Sequence, residues 1–562
     1  MTLIDILKLI AVSAALAGAV WLIRNLSRPP ASQAFPQSSQ PLSSLLITPL
    51  AFAALAIMVA AGQPSLISGD EYCRADYALQ WSAAPYFAPA DHIWLPGQFY
   101  VLGGIHRITS HMPGVVAATS IIGTTTLVLA VAWLAALAWP TLPSASWIAG
   151  LLISANVVLF WASFNAVAEV FSLPIITIAM ALLLRAETLP THNNEAPTHP
   201  LAPDAWRLAA AAVLAIGTMF RFEPWFAGIA LGMWLCWLAL RAFILGNFSA
   251  LGMRLLAASL LAIYPILWLG SSWRNLGSPL AFARDASTMN TQTNLMYDFS
   301  SPLAKLLVYP TSIWADHRWL VVLGLIGCGV AIIITLHTAR QRWLARPFGQ
   351  PQPPAAPPAS HHAIAMVAIT LGLWAISMLV SMKTGIGSNH RPRYTIFLLV
   401  PLVALAAGPL AAMVDGWRRS LLPAARFAVA SLLAAIMLLV AVEARTSYPN
   451  AWSIHPGTSA LCQYLSLEQA EHRFGHERLW PWHTPLILSH GGYWDDFWMI
   501  SYHTGRRAEI APLGAHEQVV EFAATMPART RLLMREGALP AHLPPNARLL
   551  TTLPPYTLYV LE

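Results

Sequence analysis

Two adjacent carboxylates, Asp70 and Glu71, follow an apolar run that is long enough to cross a membrane. The run, 45–61, contains no charged residue. Acidic side chains at a bilayer edge, opening a loop rich in aromatic residues, can serve as a general base or hold a divalent metal. Asp70 and Glu71 are therefore candidate catalytic residues. The alternative is a solvated loop start or a helix N-cap.

Three further ionisable residues lie near the ends of apolar runs. Glu169 stands close to the end of one run, where a charged group is costly and usually functional. Arg221 and Glu223 occupy the turn between two runs and are spaced to pair with each other. The chemical interpretation is a second catalytic carboxylate, Glu169, with Arg221 binding a phosphate and Glu223 contacting substrate. The alternative is a set of structural ion pairs.

The segment 383–394 carries an unusual concentration of cations. It contains Lys383, His390, Arg391 and Arg393, and it ends at Tyr394. Arg recognises phosphate through two parallel hydrogen bonds, so this segment predicts a phosphate site. His390 and Tyr394 are candidate substrate contacts. Snorkelling side chains are the alternative.

Aromatic residues are dense in the loop that begins at the acidic doublet. Tyr72, Trp94 and Tyr100 are the candidate substrate contacts among them, because aromatic faces suit sugar rings and isoprenoid chains. An aromatic belt at the membrane interface is the alternative for each ring.

Composition limits the class of protein that can carry these residues. Hydrophobic residues make up 57% of the 562 residues and charged residues only 10%, whereas soluble domains have about 25% charged residues. The chain is therefore an all-α polytopic membrane protein. Its net charge of +7 reflects the loops of a membrane protein, and no nucleic-acid partner is expected. The sequence contains no Walker-type phosphate loop, which argues against nucleotide use.

Apolar runs near 20 residues predict about twelve transmembrane helices. They lie at 3–23, 43–62, 114–138, 147–163, 167–185, 206–220, 224–244, 252–271, 318–338, 363–382, 395–413 and 426–444. Alternating these spans puts most arginines into one set of loops, which the positive-inside rule assigns to the cytoplasm. The loop 63–113, the segment 383–394 and the tail are then extracytoplasmic, in a multi-pass protein of the inner (plasma) membrane.

Two domains are expected. Residues 1–444 form the transmembrane catalytic domain, with 63–113 as its catalytic loop, and 445–562 form a small extracytoplasmic mixed α/β domain. Cys73 and Cys462 would both face an oxidising compartment. A disulfide between them is a hypothesis.

The order of these elements resembles the integral-membrane GT-C glycosyltransferases, in particular the bacterial relatives of dolichyl-phosphate-mannose protein mannosyltransferases and lipid A aminoarabinose transferases. The resemblance covers roughly residues 40–445. It rests on five motifs in order, namely Asp70-Glu71, Trp94–Tyr100, Ala166–Phe171, Arg221–Trp225 and Arg393-Tyr394.

The resemblance implies a sugar carried on a polyprenyl phosphate, an inverting transfer and an acidic base in the first outer loop. Carried over to this chain, Asp70 is the base or a carboxylate adjacent to a metal, Glu169 the second acidic residue and Arg393 a lipid-phosphate contact. The chain departs from the family pattern in two places. It has Gly97-Gln98 where many relatives have consecutive prolines, and Arg221-Phe222 where Arg-Tyr is commoner. The acceptor, whether glycan, lipid or protein, and a divalent metal at Asp70 stay open.

Two other classes of membrane protein fit parts of the pattern. A transporter or flippase of envelope precursors also has about twelve spans with intramembrane charges. A non-catalytic subunit of an envelope complex is the other. Ionisable groups clustered at one membrane face, and not at the midplane, favour the enzyme.

Overall fold

The structure is a computed structural model without ligands. It describes residues 42–61, 69–85, 94–109, 111–163, 165, 167–188, 202–281, 301–345, 358–384, 395–418, 486–488, 508–510, 531–535, 547–553 and 556–561. Within these ranges some side chains lie outside the description, among them those of 69–73 and 381–384.

The described part of the chain before residue 419 is helical. The helices are α1 (Leu42–Ala61), α2 (Gly69–Ala83), α3 (Gly97–Thr109), α4 (Met112–Ala138), α5 (Ala145–Ser154), α6 (Val157–Ala162), α7 (Glu169–Thr188), α8 (Ala202–Gly217), α9 (Glu223–Ile244), α10 (Phe248–Leu276), α11 (Pro302–Ala345), α12 (Pro358–Thr384) and α13 (Ile396–Arg418). Seven segments among them are long and apolar enough to cross a membrane, namely Met112–Ala138, Glu169–Thr188, Glu223–Ile244, Phe248–Leu276, His317–His337, His362–Val380 and Ile396–Asp415. The protein is thus a multi-pass membrane protein.

Helix α13 forms the centre of the bundle. Ninety-four per cent of its apolar window is buried inside the protein, against 22% for α10. A helix that is apolar on all sides is expected either at the core of a large protein or against lipid. Helix α13 lies in the core, and α10 faces the lipid. The main hydrophobic core surrounds α13 with side chains from α4, α5, α7 and α11.

Each predicted span within the described residues coincides with a helix, but the spans 43–62, 147–163 and 206–220 fall on α1, α5–α6 and α8, which are not among the seven long apolar segments. The span 147–163 is broken into α5 and α6, because the side chain of Asn156 accepts a hydrogen bond from Leu159 N at 3.1 Å and caps the second helix. The span 318–338 is part of the longer α11, which is kinked at His317. Asn156 and His317 contact each other at 3.3 Å. The spans predicted at 3–23 and 426–444 lie outside the described residues.

Helices α11 and α13 approach each other closely at glycines. A Cβ on Gly327 would clash with the backbone of Leu405, whereas Gly329 has nothing within 4 Å. We expect Gly327→Ala to lower the free energy of unfolding by about 1–3 kcal/mol, the usual cost of overpacking, and Gly329→Ala to leave it unchanged. Thermal unfolding of the two variants in detergent measures the difference. Equal midpoints would contradict the close packing of α11 on α13.

Helix α7 carries an ion cluster at each end. Its first residue is Glu169, and Glu187 in its last turn pairs with Arg207 at 2.9 Å. The two glutamates are about 27 Å apart along the helix axis, close to the thickness of the hydrocarbon core. The clusters therefore lie at opposite faces of the membrane, and the end of the bundle with Glu169 is called the Glu169 end.

The tail forms a five-stranded mixed sheet. Its strands are β1 (Leu486–Leu488), β2 (Ala508–Ile510), β3 (Arg531–Arg535), β4 (Ala547–Leu553) and β5 (Tyr556–Leu561), in the order β2-β1-β3-β5-β4. Strand β1 is parallel to both neighbours, and β5 is antiparallel to both of its own. Two of these strands coincide with the apolar runs near 486 and 557, and the predicted fold class is confirmed. The boundary at 444/445 stays a prediction.

Candidate active site

A buried ion cluster marks the Glu169 end. The guanidinium of Arg221 donates from Nη1 to Glu169 Oε1 at 2.9 Å and from Nε to Glu223 Oε2 at 2.8 Å. The side chains of Glu169, Arg221 and Glu223 are 4%, 13% and 12% exposed. One cation between two carboxylates gives these three side chains a formal charge of −1.

Local sequence explains why the two carboxylates meet there. Glu169 and Glu223 each lie in the first turn of a helix, where the helix dipole stabilises negative charge. Pro224 in that first turn is compatible with a helix start. Arg221 lies in the turn that precedes α9, so it reaches both glutamates. The rings of Phe171 and Phe220 stack at 5.4 Å and bring the start of α7 to this turn.

The backbone on both sides of Glu169 is fixed by two contacts from α4. Ser120 Oγ donates to the carbonyl of Asn165 at 2.8 Å. Gly123 lets the carbonyl of Val170 approach so closely that a Cβ there would clash with it. These contacts set where α7 begins and hence where the Glu169 carboxylate lies.

The helix that carries the acidic doublet packs at the same end. Asp70 and Glu71 lie in the first turn of α2, since the helix begins at Gly69. Apolar residues of α2 and α3 form a small core with the start of α4, and Phe171 of α7 packs against that core. The doublet is therefore carried by an element that contacts the start of α7, while the positions of its two side chains stay a prediction.

The described aromatic candidates make specific contacts. Trp94 is half-buried, lies under the guanidinium of Arg74 with 4.8 Å from Cζ to the ring centroid, and meets Tyr77 edge to face. Tyr100 lies 5.4 Å from the ring of Trp81. Both candidates thus have partners within the protein. The side chain of Tyr72 lies outside the described residues.

Helix α13, which follows the basic segment, begins at the Glu169 end, because its other end contacts Ser144, beyond the far end of α4. Near the start of α13, the rings of Tyr309 and Phe397 lie with centroids 5.9 Å apart. Burial raises the pKa of Tyr309, the negative charge of Glu223 raises it further and Arg221 opposes this. His390, Arg391, Arg393 and Tyr394 lie outside the described residues, as does the side chain of Lys383.

Arg74 and Gln98 are the site residues that sequence reasoning missed. Both are buried, and Arg74 Nη1 donates to Gln98 Oε1 at 3.2 Å. The signal for Arg74 was its position one helical turn after Asp70, where side chains on a helix become neighbours. No sequence signal identified Gln98, because its partner is on another helix.

A divalent metal does not fit between the two described glutamates, because the Arg221 guanidinium occupies that position. Among the residues that the structure describes, no group of three or more His, Cys, Asp or Glu side chains could hold a metal ion. A metal at Asp70 stays an open prediction.

Known structures share this architecture. ArnT from Cupriavidus metallidurans bound to undecaprenyl phosphate is 14% identical, with 92% of this chain and 98% of that chain covered and a TM-score of 0.52. The protein has the GT-C fold. The fold predicted from the ordered motifs is confirmed. The archaeal oligosaccharyltransferase AglB from Archaeoglobus fulgidus, in complex with an inhibitory peptide and a dolichol-phosphate, is 14% identical over 88% of this chain and 69% of that chain, with a TM-score of 0.48.

Neither a protein-family model nor a curated protein sequence matches the chain. At this level of identity the comparison with ArnT establishes the fold alone.

Proposed function

We propose that this protein is a glycosyltransferase that moves a sugar from a polyprenyl-phosphate donor to an acceptor at the extracytoplasmic face of the inner membrane, with inversion at the anomeric carbon. One observation carries the proposal. In a GT-C fold, the helix of the acidic doublet, the Glu169–Arg221–Glu223 cluster and the helices flanking the basic segment meet at one end of the bundle.

The leaving group defines what the protein must supply. A polyprenyl phosphate departs as a stable anion and needs little acid catalysis, whereas the acceptor hydroxyl or amine must lose its proton. Asp70 accepts that proton as the acceptor attacks from the face opposite the phosphate. The bond from the anomeric carbon to the phosphate oxygen breaks, and its electron pair leaves with the phosphate. A positioned base contributes typically 10²–10⁴-fold.

Glu71 and Glu169 complete the acidic set. Glu71 neighbours the base on α2. Glu169 is the second carboxylate, and its ion pair with Arg221 holds it in one orientation at 2.9 Å. From there it can accept a hydrogen bond from a sugar hydroxyl or from the acceptor.

The basic segment supplies most of the proposed phosphate ligands. Arg221 already binds two carboxylates, so a phosphate would compete with them for its donors. Lys383, Arg391 and Arg393 form the rest of the proposed phosphate site, with His390 and Tyr394 beside the sugar. Undecaprenyl phosphate in the ArnT complex is a ligand of this chemistry in the same fold. Tyr72, Trp94, Tyr100 and Glu223 are the proposed remaining contacts of the sugar and lipid.

Replacing Arg393 tests the phosphate site. We expect Arg393→Gln to raise the KM for the lipid-linked donor about 10- to 100-fold, because a hydrogen bond to a charged group contributes about 1.5–3 kcal/mol. The KM for the acceptor should stay unchanged. Steady-state kinetics with the donor varied measure the effect, and Arg340→Gln, an exposed arginine near the end of α11, is the control. An unchanged donor KM would remove Arg393 from the site.

The function itself is tested with the purified protein in liposomes. The liposomes contain a panel of polyprenyl-phosphate-linked sugars, and an envelope extract supplies acceptors. We expect release of free polyprenyl phosphate that depends on the extract, with mass spectrometry detecting the glycosylated product. NMR of the product then gives its anomeric configuration. Movement of the lipid or a solute across the bilayer without any transfer would instead support the transporter.

A further inference from the structure

The short segment Trp94–Gln98, here called the connecting segment, joins the helix of the acidic doublet to the turn that carries Arg221. Its backbone contacts that turn directly, since Gly97 N donates to the carbonyl of Met219 at 2.8 Å. A Cβ on Gly97 would stand 2.7 Å from the same oxygen and 2.9 Å from its carbon. Only glycine allows this approach without a shift of one backbone against the other.

Apolar packing anchors the connecting segment on the same side. Leu95 is 2% exposed and forms a small core with Tyr264 and Trp268 of α10. Met219, Phe222 and Trp225 pack around this core. Leu95 therefore packs the connecting segment against α10 and against residues on both sides of Arg221.

The other side of the connecting segment holds α2. Gln98 is fully buried and accepts a hydrogen bond from Arg74, and the ring of Trp94 lies under the same guanidinium. Arg74 stands one helical turn after Asp70. Gln98 and Trp94 therefore fix the part of α2 that immediately follows the doublet.

We propose that the connecting segment sets the distance between the Asp70 end of α2 and the Glu169–Arg221 cluster, with Gly97 and Gln98 as positioning residues for transfer. The inference rests on the proposed function. The base on α2 and the carboxylate paired with Arg221 belong to different elements, and the connecting segment contacts both α2 and the turn that carries Arg221. Misplacement of a reacting group by about 1 Å can cost about 10²-fold in rate.

Matched glycine substitutions test this role. We expect Gly97→Ala to lower kcat about 10- to 100-fold, because it displaces the base from the anomeric carbon. The donor KM should change less than about threefold, because Gly97 is not one of the proposed phosphate ligands. Gly104→Ala in the same helix is the control, since its Cβ would meet only the ring of Trp81 at 3.9 Å. Equal kcat values for the two folded variants would overturn the proposal.

A third glycine separates this role from helix packing. A Cβ on Gly103 would meet the carbonyl of Ala78 at 2.6 Å but does not approach Met219. Gly103→Ala should therefore lower the thermal midpoint by loosening α2 on α3. If Gly103→Ala lowers kcat as much as Gly97→Ala at a similar loss of stability, general packing explains the effect and the proposal fails.

Two further measurements keep the test decisive. If Gly97→Ala does not fold, Gln98→Met tests the proposal instead, because it keeps the side-chain volume and removes the oxygen that accepts from Arg74. The expected result is a lower kcat at unchanged donor KM. A wild-type kcat would overturn the proposal.

Spin labels at the exposed Ala83 and Ile229 report the distance from α2 to α9 without any assay of activity. Gly97→Val should shift or broaden that distance and Gly104→Val should not. An absence of transfer by the wild type contradicts the proposed function, whereas an unshifted distance contradicts the positioning role.

Discussion

Asp70→Asn is expected to reduce sugar transfer by about 10²–10⁴-fold, the usual contribution of a positioned general base. The amide cannot accept the acceptor proton, yet it has nearly the volume of the carboxylate and can still accept a hydrogen bond at the start of α2. Binding of the lipid-linked donor should therefore persist. Single-turnover transfer and donor binding, measured on the same preparation, separate the two effects.

Asp76→Asn provides the matched control for Asp70. It makes the same change later in α2, where the carboxylate accepts a hydrogen bond from Gln80 at 2.8 Å that an amide oxygen can also accept. We expect transfer close to the wild-type rate. If Asp70→Asn transfers sugar as fast as Asp76→Asn, the doublet does not contain the base; altered solute flux in the same variant would favour the transporter.

Arg221→Gln is expected to be the most destabilising single change at the site. It leaves Glu169 and Glu223 buried without their cation, and breaking a buried ion pair by removing one partner typically costs about 3–5 kcal/mol. Transfer should be lost with it, because Glu169 loses the contact that orients it. Thermal unfolding in detergent and the transfer assay measure the two consequences.

A second substitution separates charge burial from catalysis. In the double variant with Glu169→Gln, one uncompensated carboxylate is gone, so stability should recover in part while transfer stays low. Arg241→Gln, an exposed arginine in the last turn of α9, should change neither property. If Arg221→Gln unfolds at the same temperature as Arg241→Gln, the buried ion cluster does not stabilise the Glu169 end.

The Arg221 cluster also bears on the role proposed for that arginine. The sequence predicted both a pair with Glu223 and phosphate binding; in the structure the guanidinium donates hydrogen bonds to Glu223 and Glu169, and phosphate binding stays a prediction. The proposed role of Arg221 is accordingly to position Glu169 and to balance charge. We propose the basic segment 383–394 as the main source of phosphate ligands, since α13, which follows it, begins at the Glu169 end.

The sequence by itself determined the class of protein, most of the spans and the residue types of the site. Runs of about 20 apolar residues are long enough to cross a bilayer, where only a helix satisfies the backbone polar groups within one segment, so the helices of the bundle follow from composition. The local pair between Arg221 and Glu223 was also predictable, because two residues separated by one in a turn can reach each other. The break at Asn156 was not, since it depends on a cap within a run that is otherwise apolar.

Only the tertiary structure decided which distant residues meet. The ion pair of Glu169 with Arg221, the hydrogen bond of Arg74 with Gln98 and the contact of Gly97 with Met219 all join different elements. Hydrophobic periodicity specifies that a helix is buried but not which neighbour covers it. The side chains that meet between helices are set by close packing around α13, and that packing is a property of the whole bundle.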